Sequence, residues 1–114
     1  MLLKSQGGGG SSGSGRSVGT LAVSGGTGIT AGSYDLIKMS ATENVTAGVM
    51  SVSGVSDGKR VTLRNETAFT ITLSNTGCNM NLGADIVLAQ YGQVELEFNS
   101  TLGKWNLIQL GEYS

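Results

Sequence analysis

The carboxylates with the most suggestive spacing are Glu95 and Glu97, which stand two positions apart in the segment QVELEF. Residues two apart on a strand share one face of the sheet. A glycosidase needs two carboxylates held across a cleft in different environments, whereas these two alternate with apolar residues on a predicted solvent face. We interpret them as a solvated strand face, or as one that meets Lys104 or Arg60 of a neighbouring subunit, and we predict no catalytic residues.

The chain lacks most of the side chains that usually serve as catalytic nucleophiles with a histidine base or as zinc ligands. The chain has one cysteine, Cys78, and no histidine, which removes cysteine–histidine and serine–histidine schemes and histidine-based zinc sites. We expect Cys78 to be a small, partly buried apolar side chain. Asp35, Asp57 and Asp85 lie near predicted turns, and they are candidate ligands for a calcium ion shared at a subunit axis. Their spacing does not require one, so we predict no metal and no cofactor.

A glycine-rich stretch, SGGTGITAG at 24–32, has the composition of a phosphate-binding loop. The dinucleotide fingerprint requires a preceding strand, a following helix and three correctly spaced glycines. Ala31 occupies the third glycine position, and no helical pattern follows it. We therefore interpret this stretch as a turn or a β-bulge.

The elements that must position these residues are strands, because apolar residues recur with a period of two after Val18. The segments with this pattern are 20–24, 34–39, 48–54, 60–64, 68–74, 85–90, 93–98 and 105–110. Alternation with turn signals every 8–12 residues is typical of an antiparallel β-sandwich or jelly roll. We predict an all-β fold, with an extended N-terminal arm over residues 1–18 and one β-sandwich domain over 19–114.

The aromatic residues divide into predicted core positions and one predicted surface position. Phe69, Phe98 and Trp105 occupy inward positions of the alternating pattern, which favours core packing over an exposed sugar-binding platform. Tyr91 lies in the turn QYGQ, and we predict that it is exposed.

Charge and hydropathy exclude two classes of partner. Seven basic and eight acidic residues give a net charge of −1, without the basic stripe that nucleic-acid binding requires. No apolar run approaches the roughly 20 residues that span a bilayer as a helix. We predict neither a nucleic-acid partner nor a membrane partner.

From Asp57 onward, two segments carry a family pattern: DGKRVTLRNETAFTITLSNTG and ADIVLAQYGQVELEFNSTLGKWNLIQL. They resemble the β-rich globular ends of bacteriophage fibres and capsid decoration (cement) proteins. The matching positions are Gly58, Val61, Leu63, Asn65, Ile71, Leu73, Ile86, Leu88, Gly92, Val94, Leu96, Phe98, Gly103, Trp105 and Ile108.

The resemblance implies a structural protein without catalytic residues. It predicts a homotrimer that binds the major capsid protein on the outside of a phage capsid, and that reinforces or decorates the virion after assembly in the host cytoplasm. The chain has neither coiled-coil heptads nor repeated shaft segments, which favours a compact decoration protein or a short head fibre. The alternative is the receptor-binding or lectin-like tip of a tail fibre.

The N-terminal arm contains only glycine and serine over residues 7–15. Ordering nine such residues costs on the order of 10 kcal/mol, so only contacts with another surface could hold them in place. We expect the arm to contact the capsid. The predicted apolar anchors are Met1, Leu2 and Leu3, and the predicted partners of acidic capsid groups are Lys4 and Arg16. The same composition is also that of a flexible linker.

Overall fold

The structure is a computed structural model that describes residues 17–75 and 78–111, and these residues contain nine β-strands and no helix. The strands are β1 (Val18–Ala22), β2 (Leu36–Ser40), β3 (Val45–Thr46), β4 (Arg60–Asn65), β5 (Ile71–Leu73), β6 (Met80–Asn81), β7 (Ile86–Leu88), β8 (Gln93–Asn99) and β9 (Lys104–Gly111). The prediction of an all-β fold is confirmed. The predicted arm contacts Met1, Leu2, Leu3, Lys4 and Arg16 lie outside the described residues.

The strands form two sheets. The larger has six strands in the order β1-β2-β4-β8-β9-β6, and the smaller has three in the order β3-β5-β7. Within the larger sheet, β1, β2 and β4 run parallel, whereas β8 is antiparallel to both β4 and β9. Within the smaller sheet, β3 and β5 are parallel and β7 is antiparallel to β5.

The parallel pairs arise because the chain winds three times in the same direction. One side of the stack is β1, β2 and β4, and a second contains β3 and β5. On the third side, a parallel bridge joins Ile29 to Met50, and the Met50 amide donates to the Cys78 carbonyl at 3.0 Å. Each turn therefore hydrogen-bonds to the next on three sides, as in a β-solenoid.

The prediction of antiparallel strands is wrong for this first part of the chain. Period-two alternation reports which face of a strand is buried, but it is the same for both strand directions. Direction depends on the connection, and parallel neighbours need a crossover of about a dozen residues or more. The segment between β1 and β2 has that length and passes around the core. The observed pairing does not confirm a sandwich or a jelly roll.

The predicted strands also differ from the observed ones in number. The predicted strand over 48–54 is reduced to the single bridge at Met50, while β3 and β6 were not predicted. Both unpredicted strands have only two residues. A period of two cannot be detected over so short a segment.

The last part of the chain reverses direction and covers the third turn. β7 pairs with β5, β8 pairs with β4, and β9 pairs with both β8 and β6. Each strand of the third turn thus gains an outer neighbour. At the opposite end of the stack, β1 has β2 as its one neighbour among the described strands.

The hydrophobic core fills the space between the three sides of the stack and beneath the last three strands, β7, β8 and β9, which we call the cap. Side chains in register stack in columns, such as Ile37, Leu63 and Val94. Trp105 is completely buried, its Nε1 donates to the Ser51 carbonyl at 3.1 Å, and its ring centroid lies 5.3 Å from that of Phe98. The predicted burial of Phe98 and Trp105 is confirmed.

Candidate functional site

Two surface loops are held by hydrogen bonds to Asn65, the last residue of β4. Its side chain is completely buried. Nδ2 donates to the carbonyls of Phe69 at 2.6 Å and Leu88 at 2.9 Å. Oδ1 accepts from the amide and the hydroxyl of Thr67, at 2.9 and 2.8 Å. Two donors and one acceptor are all in use, so burial leaves no polar capacity unmet.

The backbone of Asn65 completes the same arrangement. Its carbonyl accepts from the Tyr91 amide at 2.6 Å, and its amide donates to the Gly92 carbonyl at 3.0 Å. One residue therefore holds two loops together, the 66–70 segment before β5 and the 89–92 turn before β8.

Each of these loops exposes one aromatic side chain. Phe69 is 44% exposed and Tyr91 is 47% exposed. We call the two loops, 66–70 and 89–92, the aromatic corner. The exposure of Tyr91 is confirmed, but the prediction that Phe69 packs in the core is wrong. The alternating pattern of AFTITLS includes Phe69, whereas β5 begins only at Ile71, because Asn65 holds the preceding residues in a loop.

Tyr91 has a backbone conformation that its side chain disfavours. Its φ is 65°, in the left-handed region where a bulky residue is an outlier. Asn79 is the other non-glycine residue with positive φ in the described segments, and asparagine tolerates that region well. A strained residue persists only where surrounding contacts hold it, and the bond to Asn65 supplies such a contact.

Arg64 and Glu66, the residues on either side of Asn65, form an ion pair. The other residues of the two loops have small, aromatic, amide or hydroxyl side chains, among them Thr70 and Gln90. The Thr70 amide donates to Asn44 Oδ1 at 2.9 Å, which brings the exposed residue next to Asn44, Glu43, close to the first loop.

The paired glutamates of β8 lie on the outer face of the larger sheet, as their alternation with buried Val94, Leu96 and Phe98 predicts. Glu97 Oε2 accepts from Arg60 Nε at 3.0 Å. Arg60 of the same chain lies directly opposite Glu97 in register, so Glu97 has an ion-pair partner within the chain, and a contact of this face with a neighbouring subunit stays a prediction.

The three aspartates bind backbone amides. Asp35 accepts from Ser17, Asp57 accepts from Ser100, and Asp85 accepts from Asn75, at distances of 3.0, 2.8 and 2.8 Å. Across the described ranges, no group of three acidic or cysteine side chains could hold a metal ion. These contacts make the aspartates turn-stabilising residues, because each ties down a loop amide.

The remaining sequence candidates have structural positions. Cys78 is buried. The glycine-rich stretch 24–32 begins with a β-turn, in which the Thr27 amide donates to the Ser24 carbonyl at 3.0 Å, in agreement with the turn interpretation. Within the part of the chain that the structure describes, no helix has the length and hydropathy needed to cross a membrane.

A second surface feature is the end of the stack formed by the first turn. From Ser17 to Tyr34 the sequence contains no lysine, arginine, aspartate or glutamate. β1, which has β2 as its one neighbour among the described strands, therefore has no charged side chain, and the chain contains no proline that could interrupt it. Natural sheet edges usually contain such residues, because they prevent pairing with another chain.

Comparison with known proteins gives one informative result. No family model matches the sequence, and no curated protein matches it. A chain in a solved structure described as a chaperone–substrate complex is similar, with a TM-score of 0.55 and 21% identity over 81% of this chain. This chain covers 17% of the length of that one. At this identity the likeness shows the fold alone.

Proposed function

We propose that this chain is a structural virion protein that binds the outside of a phage capsid as a homotrimer and reinforces or decorates it. The resemblance to decoration and head-fibre proteins from Asp57 onward carries the proposal. Its apolar positions coincide with the third turn and the cap, where Val61, Leu63, Leu96 and Trp105 are all buried. Most of the matching apolar residues therefore pack together, whereas the matching Ile108 is 42% exposed.

The charge distribution supports association between subunits. β1 has five residues without charge or proline and a neighbour on one side among the described strands, and edges of this kind pair readily with another strand. A sheet of modest size gains stability when a subunit interface buries more apolar surface.

The glycine- and serine-rich arm supports attachment to a partner. Glycine has the backbone freedom to follow a narrow groove between capsid subunits. In a homotrimer, three arms act together, and the effective concentration of the second and third arms turns weak individual contacts into stable attachment.

The proposal is tested with gold-labelled protein added to phage particles that were produced without it. Two forms are compared by electron microscopy, the full chain and a chain that lacks residues 1–16. We expect the full chain to cover the capsid surface. The shortened chain is expected to remain a folded trimer, because all nine strands are retained, but to leave the capsid bare.

Three results would contradict this expectation. Label at the tail tips instead of the capsid would replace decoration with the receptor-binding alternative. Full capsid occupancy by the shortened chain would show that the arm is not the attachment element. Absence of label from the whole particle would overturn both versions of the proposal.

A further inference from the structure

We infer that a polar groove on the outer face of the larger sheet is the docking site for the base of the chain's own N-terminal arm, with the Arg16 guanidinium bound to the Glu95 carboxylate. This docking goes beyond the proposed function, because it belongs to the free protein and does not depend on a capsid. Three features support it: the residues that line the groove, their charge, and the position of the first described residue.

The groove has a volume of about 470 Å³ and lies across β4, β8 and β9. Thr62, Glu95 and Gln109 lie side by side in register on these strands, and Gln93 lies on the same face of β8 as Glu95. Thr62 is 8% exposed, so it lies at the bottom of the groove. The carboxylate is therefore surrounded by hydroxyl and amide groups, which can bond to a peptide backbone.

Glu95 gives the groove an unbalanced negative charge. Arg60 Nε, also in the lining, lies 3.0 Å from Glu97 Oε2, and these two charges neutralise each other. Asp35 Oδ1, a third charged group of the lining, lies 3.7 Å from Lys59 Nζ. Three ion pairs form among the described residues, and Glu95 is in none of them. A half-buried carboxylate of this kind favours a cationic partner, and a guanidinium can bind it through two parallel hydrogen bonds.

The first described residue, Ser17, lies at the rim of the groove. Its amide donates to Asp35 Oδ2 at 3.0 Å, and its carbonyl accepts from the amides of Asp35 and Leu36, at 2.8 and 3.1 Å. Asp35 is itself part of the groove lining. Arg16 therefore joins the described part of the chain beside the groove.

The Glu95 carboxylate is within reach of an arginine at position 16. One row across the sheet follows the register pairs Val18–Leu36, Leu36–Thr62 and Thr62–Glu95. Along this row, three strand spacings separate β1 from β8, which is about 14 Å. One residue toward the groove covers about 3.8 Å, and the long side chains of arginine and glutamate bridge the remainder.

The composition of the arm suits the rest of the groove. Residues 7–15 contain only glycine and serine, so no large side chain prevents their backbone from lying against the polar lining. The side-chain amides of Gln93 and Gln109 each offer donors and an acceptor, which match the amide and carbonyl groups of such a backbone.

The C-terminal tail is the other segment that starts at this groove. Gly111 belongs to the lining, and residues 112–114 follow it outside the described residues. The first of these is Glu112, whose charge has the same sign as that of Glu95, and like charges at close range repel. The charge of the groove therefore favours the arm over the tail.

The test uses the purified full chain without phage particles. Hydrogen exchange followed by mass spectrometry measures the protection of the backbone amides of residues 5–15. We expect Arg16→Glu and Glu95→Arg each to speed this exchange at least about fivefold, because each variant brings like charges together and releases the arm. The double variant, Arg16→Glu with Glu95→Arg, reverses the pair and should restore the protection.

The matched control is Glu43→Arg, which makes the same change of charge. Glu43 is exposed in the loop between β2 and β3 and does not line the groove. Its arm should exchange as in the unaltered chain. An equal effect of Glu43→Arg and Glu95→Arg would assign the change to net charge and would contradict the inference.

A second measurement identifies the contact itself. In Arg16→Lys, a carbodiimide can couple the amine at position 16 to a neighbouring carboxylate, and mass spectrometry locates the amide. We expect coupling to Glu95, and no coupling there when Glu95→Gln is added. In a mixture of isotope-labelled and unlabelled protein, the amide should join two residues of one chain.

Three outcomes would overturn the inference. The first is an arm that exchanges in the unaltered chain as fast as a free peptide of the same sequence. The second is coupling to Asp35 in place of Glu95, or coupling between separate chains. The third is protection of residues 112–114 that Glu95→Arg removes, which would assign the groove to the tail. Because no particle is present, each of these outcomes leaves the proposed attachment to a capsid to its own test.

Discussion

At the scale of single residues, Asn65 links three parts of the chain. Its hydrogen bonds connect β4 to β7 and to both loops of the aromatic corner. Asn65→Ala would leave the Phe69 and Leu88 carbonyls and the Thr67 amide without this partner. Each unmet buried group costs about 1–3 kcal/mol. We expect the free energy of unfolding to fall by about 3 kcal/mol in total.

This loss can be followed by the fluorescence of Trp105, which is the single tryptophan and is completely buried. The control is Asn81→Ala, at an exposed position of β6, which should change stability by less than about 0.5 kcal/mol. Equal losses in the two variants would show that the network around Asn65 is not special.

Sequence reasoning reached the aromatic corner only in part. The turn residues around Tyr91 predicted its exposure, because glycine next to a polar residue marks a chain reversal. Phe69 was misplaced because alternation continues through a loop that only a tertiary contact creates. The period of two that puts Val61 and Leu63 inward also puts Asn65 on that face, but its burial was not predicted because asparagine is usually exposed.

At the scale of elements, the contact between successive turns depends on the absence of a side chain at Gly48. Its amide donates to the Thr27 carbonyl at 2.6 Å. A Cβ at Gly48 would lie 2.3 Å from the Gly26 carbonyl oxygen, a backbone atom that cannot rotate away. We expect Gly48→Ala to lower the free energy of unfolding by about 1–3 kcal/mol.

The matched control for that substitution is Gly25→Ala in the facing loop, where an added Cβ meets nothing within 4 Å. It should leave stability unchanged or raise it by about 0.4–1 kcal/mol, since alanine reduces the entropy of the unfolded chain. Chemical denaturation of both variants measures the difference. Equal stability of the two would mean that the first and second turns do not approach as closely as the structure places them.

The stacking of turns also explains which elements could be predicted. β4, β8 and β9 were predicted within two residues, because each has at least six residues, a length over which a period of two can be detected in the sequence. The parallel direction of β1 and β2 was missed, because it depends on where a glycine-rich connection takes the chain. No local pattern reports that path, because parallel and antiparallel strands show the same alternation of buried and exposed residues.

At the scale of the whole molecule, the two ends of the stack differ. One end is covered by β7, β8 and β9, whereas β1 presents an uncharged edge at the other end. If subunits associate through that edge, a charge there should separate them. Thr20 is exposed in β1 and lies opposite Lys38 in register, so Thr20→Glu adds a charge that is favourable within the chain and costly when a neighbouring subunit covers it.

We therefore expect Thr20→Glu to sediment as a monomer at concentrations where the unaltered chain sediments as a trimer, with Tm changed by no more than a few degrees. Val87→Glu is the control, because Val87 is 57% exposed on β7 at the covered end, and it should leave the trimer intact. Sedimentation equilibrium of the three proteins separates the outcomes. Dissociation by Val87→Glu alone would place the subunit contact at the covered end. If the unaltered chain is monomeric at all concentrations, the homotrimer is removed from the proposed function, because three arms that are not joined by a subunit contact cannot act together.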